Sequence, residues 1–222
     1  MSSSQKTWNF EELRNLCTNK GLPDSKIYQE ALLWKQQRAS YHAEQYHKMW
    51  RELFSSLGKM GEIKVGGQVW NEAQFASEAH AEAAAQTLHS MADILAQIIN
   101  KAVLYDGFPE DKVTLYRIVG KLKKQDSAHK IVAAIDKFRN SAEFRYIDAF
   151  VNTIKHRRLL DRSYHLEYGE NTRNEQAVCF QEFEYKGHRY RFTWATDIIG
   201  PYKSRIFELI IEIGNAVNEY LR

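Results

Sequence analysis

Arg145, Asp148, Asn152 and His156 follow one another at three- and four-residue steps, so on a helix they form a single polar stripe. His156 also belongs to a run of cations, Lys155-His156-Arg157-Arg158. These residue types suit phosphate chemistry. A histidine titrates near neutral pH and can move a proton, while guanidinium groups hold phosphate oxygens in a planar fork. An amide such as Asn152 can orient a substrate. The same residues also have a purely structural reading. Cations near a helix C-terminus are favourable against its dipole, and Asn152 could hydrogen-bond an adjacent helix. The residues alone leave both readings open.

Other chemistries find less support. His42 and His47 are five apart, about 140° around a helix, and His80 and His89 are nine apart, about 180°, so neither pair converges on its own helix. There is no HExxH, no CxxC and no acidic calcium loop, so no metal and no cofactor is expected. Gly58-x-x-Gly61 and Gly66-Gly67 lack the Lys-Ser/Thr of a phosphate loop. Neither a nucleophile elbow nor a kinase signature occurs, which argues against the familiar α/β hydrolases and nucleotide-dependent enzymes.

The elements that must position the polar stripe are mostly helical. Phe144, Ile147, Phe150, Val151 and Ile154 make an apolar stripe over 140–160, with Asn140 and Glu143 reading as a capping box. Further long helices are expected at about 25–57, 71–104 and 202–221, with two short ones, 111–123 and 127–138, between. Asn9 with Glu12, and Asn71 with Gln74, read as caps of the first and third helices. The middle of 25–57, Lys35 to Glu44, holds few apolar anchors.

Residues 161–176 are polar and aperiodic and read as a loop. A β-hairpin is expected over 177–195, turning at Lys186-Gly187. Its register places Glu184 opposite Arg189 and Glu182 opposite Arg191, with Phe183, Tyr190, Phe192 and Trp194 on the other face. The expected fold is a helical bundle with this hairpin inserted before the last helix, forming one domain over 1–222 in which 1–24 are a short helix and linker.

The 222 residues carry a net charge of +3, too small to argue nucleic-acid binding from the whole chain, though a local patch is decided by clustering. No apolar run is long enough to span a membrane, and the start, MSSSQKTWNFEEL, lacks the pattern of a signal peptide. Cys17 and Cys179 then read as two reduced thiols in a cytoplasmic protein. The basic set Arg139, Arg145, Lys155, Arg157, Arg158 and Arg162 could follow an RNA backbone, with Tyr146, Tyr164 and Tyr168 stacking bases. Alternatively, the hairpin or the 25–57 helix docks a partner protein, or a pocket lined by Met91, Ile98 and Phe150 takes a small ligand.

The segment VNTIKH, Val151 to His156, resembles the motif of the HEPN superfamily, small helical bundles of bacterial defence and toxin–antitoxin systems. In that family an arginine, usually followed by a polar residue, precedes a histidine by four to six residues on a late helix. Asn152 and His156 match the polar residue and the histidine, and Val151 stands where the arginine would be. The resemblance implies a homodimer whose paired motifs face one cleft. It also implies an RNA- or partner-binding role, with metal-independent RNA cleavage centred on His156 and Asn152 in active members. With Val151 at the arginine position, a degenerate member is expected, a candidate metal-independent endoribonuclease that is inactive or divergent. Arg145, Arg157 or Arg158 would then hold phosphate.

Overall fold

A computed structural model describes residues 7–60, 66–167 and 175–222. The chain is mostly α, a helical bundle with an antiparallel hairpin region before the last helix, as the periodicities predict. The helices are α1 (Phe10–Asn19), α2 (Lys26–Met60), α3 (Gln68–Ala102), α4 (Leu115–Leu122), α5 (His129–Asn140) and α6 (Ala142–His156). After five short strands come a single turn, α7 (Ala195–Asp197), a π-helical turn over Ile198–Tyr202 that contains Pro201, and α8 (Lys203–Leu221).

The caps explain where several helices begin. Asn9 accepts a hydrogen bond from the Glu12 N–H at 3.0 Å, so the first cap is as read from the sequence. Gly21, at φ +63°, lies just past the other end of α1, where the Leu22 N–H reaches the Cys17 carbonyl at 2.9 Å. Two other caps differ from expectation. At α6 the cap is Ser141, whose hydroxyl accepts from the Phe144 N–H, because Asn140 is still the last residue of α5. Asn71 lies inside α3, which starts three residues earlier at Gln68, and its side chain donates to the Gly66 carbonyl. The expected 111–123 helix is split into a 3-10 turn, Glu110–Lys112, and α4, which Thr114 caps.

The described chain divides into two compact units, Met1–Gln36 with Leu88–Arg145 and Ser204–Arg222, and Gln37–Thr87 with Tyr146–Lys203. The first is an all-helical core. Leu13, Leu32, Leu88, Met91, Leu95 and Ile98 are essentially inaccessible, as are Ile118, Ile131, Ile135, Ile206, Leu209 and Ile213. Phe138 and Phe144 pack with ring centres 4.2 Å apart, tilted by 35°, where α5 hands over to α6. Trp8 closes this core, its indole N–H donating to Asn218 Oδ1 at 3.1 Å.

The second unit holds the polar middle of α2 and the strands. Lys35–Glu44 stays helical; its anchors are Ala39 and Ala43, both buried, whose small size lets a neighbour approach closely. Buried Ala81, Ala84 and Ala85 on α3 serve the same purpose. The stretch read as a loop is in part a strand. β1 (Arg162–Glu167) pairs antiparallel with β2 (Glu175–Phe180), whose Ala177, Val178, Cys179 and Phe180 are all buried. A polar segment becomes a strand here because its partner's ladder, rather than its own composition, decides it. Tyr46 of α2 accepts a hydrogen bond from the Val178 N–H.

The hairpin has the expected register. β3 (Phe183–Tyr185) and β4 (His188–Tyr190) pair Glu184 with Arg189, and the same register reappears where β2 meets β5 (Thr193–Trp194), with Cys179 opposite Trp194. The ladder is interrupted between these two pieces. Glu182 therefore does not face Arg191 across it, and its carboxylate takes the Arg189 guanidinium instead. Phe183 and Trp194 are buried and Phe192 is 36% exposed, so the aromatic face packs on its own unit at one end and meets solvent at the other. Cys17 and Cys179 are both buried, and neither is in a disulfide among the described residues.

Candidate nucleic-acid interface

Helix α6 orients the motif residues by its amphipathic pattern. Ile147, Phe150 and Val151 are buried, so the opposite face, with Asn152 half-buried and Lys155 and His156 exposed, looks outward. Val151 is 1% exposed. The position where the resembling family carries arginine thus belongs to the core face, where a guanidinium would meet apolar side chains rather than a substrate. Asn152 is already engaged, donating to the Asp148 carbonyl at 2.8 Å and to Asp148 Oδ1 at 3.0 Å. Its amide is therefore tied back onto its own helix. Among the described residues no hydrogen bond or ion pair of ordinary geometry fixes the His156 ring.

The helix ends at His156, where the Arg157 and Arg158 N–H groups both bond to the Thr153 carbonyl. Its last carbonyls, together with Lys155, Arg157 and Arg158, make the expected favourable meeting of cations with the negative end of the dipole. The hairpin adds a further cation. Lys186 and Gly187 both have positive φ, 51° and 74°, the backbone of a type I′ two-residue turn, which lifts Lys186 to the hairpin tip. The Arg157 guanidinium lies 4.8 Å and the Lys186 ammonium 4.9 Å from the centre of the Tyr185 ring. Two cations from different elements thus share one aromatic group, whose electron-rich face attracts each by about 0.5–1 kcal/mol. The Tyr185 hydroxyl, and more weakly the field of Asp148, hold the Lys186 ammonium above its ordinary pKa, while Arg157 pulls the other way. Both cations remain exposed.

Arg162, Tyr146 and Tyr164 do not join this patch. Arg162 is an ion-pair partner. Its Nε lies 2.5 Å from Glu78 Oε2, and Glu78 is only 4% exposed. A buried carboxylate needs such a partner, which takes Arg162 out of the phosphate-binding set. Nearby Glu82 has its carboxyl raised by burial, a shift that Arg162 opposes and Glu78 reinforces. Arg145 is exposed near the start of α6 and Arg139 pairs with Asp136, both in the first unit. Tyr146 is 4% exposed, packed with Phe150, Phe183 and Tyr202, and burial raises its phenol pKa strongly. Tyr164 is wedged between Trp50 and Trp70 at 4.9 and 4.7 Å. Neither ring offers a face to a base, and Tyr168 lies outside the described residues.

One pair escaped sequence reasoning. His42 on α2 and His80 on α3 bring their Nδ1 atoms to 3.1 Å, with ring centres 5.4 Å apart. Each was set against the other histidine of its own helix, and no local spacing signals a contact between residues 38 apart. Burial lowers the pKa of both; the neighbouring His80 and Arg38 lower His42 further.

Compared with known protein families, with curated proteins and with solved structures, the chain finds no match in any of the three. Among the described residues no helix is long and apolar enough to cross a membrane, and no group of three or more His, Cys, Asp or Glu is gathered to hold a metal.

Proposed function

We propose that the protein binds RNA along its phosphate backbone at the end of α6 without cleaving it, as a HEPN-like member with a degenerate motif. The observation that supports this reading most is the meeting of Arg157 and Lys186 over Tyr185, beside exposed Lys155, His156 and Arg158. Such a set neutralises phosphates and reads no base edges, so its binding is strongly salt-dependent and tolerant of sequence. Cleavage needs an acid and a base held in place near the reacting phosphate. With Asn152 engaged by Asp148 and Val151 in the core, His156 has no partner of that kind in the motif.

The test is fluorescence anisotropy of labelled single-stranded RNA across a salt series, for the full chain and for Arg157→Ala with Lys186→Ala. Each phosphate contact contributes about 0.7 to the slope of log affinity against log salt, so the double variant is expected to lose about 1.4. An unchanged slope and affinity removes the patch from RNA binding. The same RNA incubated with EDTA is expected to stay intact; cleavage abolished by His156→Ala would overturn the non-cleaving part.

A second reading, docking of a partner protein, draws on the apolar side chains α2 leaves open in the first unit, Ile27 at 71% and Trp34 at 63% exposure. A small-ligand role has weaker support. Met91, Ile98 and Phe150 are packed without exposure, and a cavity in the first unit, lined by Trp8, Leu32, Leu33 and Ile210, measures about 110 Å³. Ligand pockets are usually about 300 Å³ or more.

A further inference from the structure

We propose that His42 and His80 form a clamp for a late first-row divalent ion, zinc, nickel or copper, with solvent completing its coordination. The two donors come from different helices of one compact unit and lie within reach of a shared ion; with ring centres 5.4 Å apart the nitrogens face each other head-on, so each ring turns by about 40° off that line to take the ion. An ion bound at about 2.05 Å from each nitrogen, the usual metal–imidazole length, would subtend about 98° between donors held 3.1 Å apart. That lies between the square or octahedral angle and the tetrahedral one. No movement of α2 against α3 is needed to bring the donors into range.

The helices fix this spacing. Ala43, next to His42, is 4% exposed, and Ala81, next to His80, is fully buried. Small residues beside each ligand let the backbones come close and keep both rings at the margin of the core. Tyr41 stands edge-on to both rings, at 5.4 Å from His42 and 6.5 Å from His80, and screens one side of the pair.

The chemistry of the donors selects the ion. Imidazole nitrogen prefers zinc, nickel and copper over the hard cations magnesium and calcium. Burial lowers the pKa of both rings, which favours the neutral form whose lone pair can bind a metal. Without an ion the close approach requires a shared hydrogen bond, one Nδ1–H donating to the other Nδ1. Binding moves that proton to Nε2 of the same ring, a change of tautomer with no net proton released. Arg38, on the turn of α2 before His42, opposes the ion's charge and sets a limit on affinity. The ion would tie α2 to α3, so its binding appears as stabilisation of the folded chain.

Thermal melts of the full chain, freed of metal with EDTA and then given zinc or nickel at about 0.1 mM, test this through mass action. The expected result is a rise in Tm of several degrees in the wild type and in a His47→Ala control, and none in His42→Ala or His80→Ala. Copper(II) bound at one equivalent should show two nitrogen ligands by electron paramagnetic resonance, and at most one in either variant. His42→Gln, checked for folding by circular dichroism in EDTA, replaces the alanine variant if that one unfolds. A Tm rise that survives in both variants assigns the ion to other histidines and overturns the clamp. No rise with any of the three ions in the wild type overturns it as well.

Discussion

Gly214 sits in the interior of α8, where glycine ordinarily weakens a helix by about 1 kcal/mol relative to alanine. Helix propensity alone therefore predicts that Gly214→Ala stabilises. The structure predicts the opposite. A Cβ at Gly214 would lie 2.0 Å from Trp8 Cδ2 and 2.4 Å from Cγ and Cε2, far within van der Waals contact of the indole. Trp8 is 8% exposed and holds Asn218 by its indole N–H, so the ring cannot shift without losing contacts. Full loss of a buried tryptophan costs about 3–5 kcal/mol, which includes the uncovered surface and the empty space left behind. Setting the helix gain against it leaves a net destabilisation of about 2–4 kcal/mol. Urea denaturation followed by far-UV circular dichroism measures it, since five tryptophans would blur a fluorescence signal. The decisive comparison is the double-mutant cycle with Trp8→Ala. Once the ring is gone, Gly214→Ala should stabilise by about 1 kcal/mol, as on a bare helix. If Gly214→Ala stabilises the wild-type chain by the same amount, the packing of Trp8 on α8 is refuted.

Two further outcomes follow from the second unit. Arg162→Ala leaves the Glu78 carboxylate buried without its partner, which should cost about 1–3 kcal/mol, below the value for a fully buried pair because Arg162 is a third exposed. Urea midpoints read it, and Glu78→Gln in the Arg162→Ala background should restore part of the loss; equal stability of Arg162→Ala and wild type refutes the role. His42 and His80 have lowered pKa values in the folded chain, so the unfolded chain takes up protons first as pH falls. Their contribution is therefore complete above about pH 6.5 and declines as pH drops from there toward the lower folded values. The urea midpoint of the metal-free wild type should fall more between about pH 7.5 and 5.5 than that of a His42→Asn, His80→Asn double variant, and equal falls contradict the assignment.

Much of the architecture was legible in local pattern. The apolar stripe of α6, the cap at Asn9, the stop at Gly21 and the turn at Lys186-Gly187 each depend on a few neighbouring residues, and each formed where its chemistry called for it. The hairpin register was readable for the same reason, because one pairing satisfies both faces at once. Boundaries moved where two signals competed, as at Asn140 and Ser141, where the end of one helix adjoins the start of the next.

The amino-acid sequence by itself determined which side of α6 is core and which residues crowd its end, since periodicity and charge are properties of the chain. Only the tertiary structure decided what those residues are free to do. It sent Arg162 to a buried carboxylate, packed Tyr146 and Tyr164 into aromatic clusters, and brought Lys186 beside Arg157. It also set His42 against His80. The physical reason is one of range. Caps, stripes and turns act over a few residues, whereas ion pairs, ring contacts and shared protons join side chains far apart in sequence, and their partners are chosen by the register in which whole helices and strands pack.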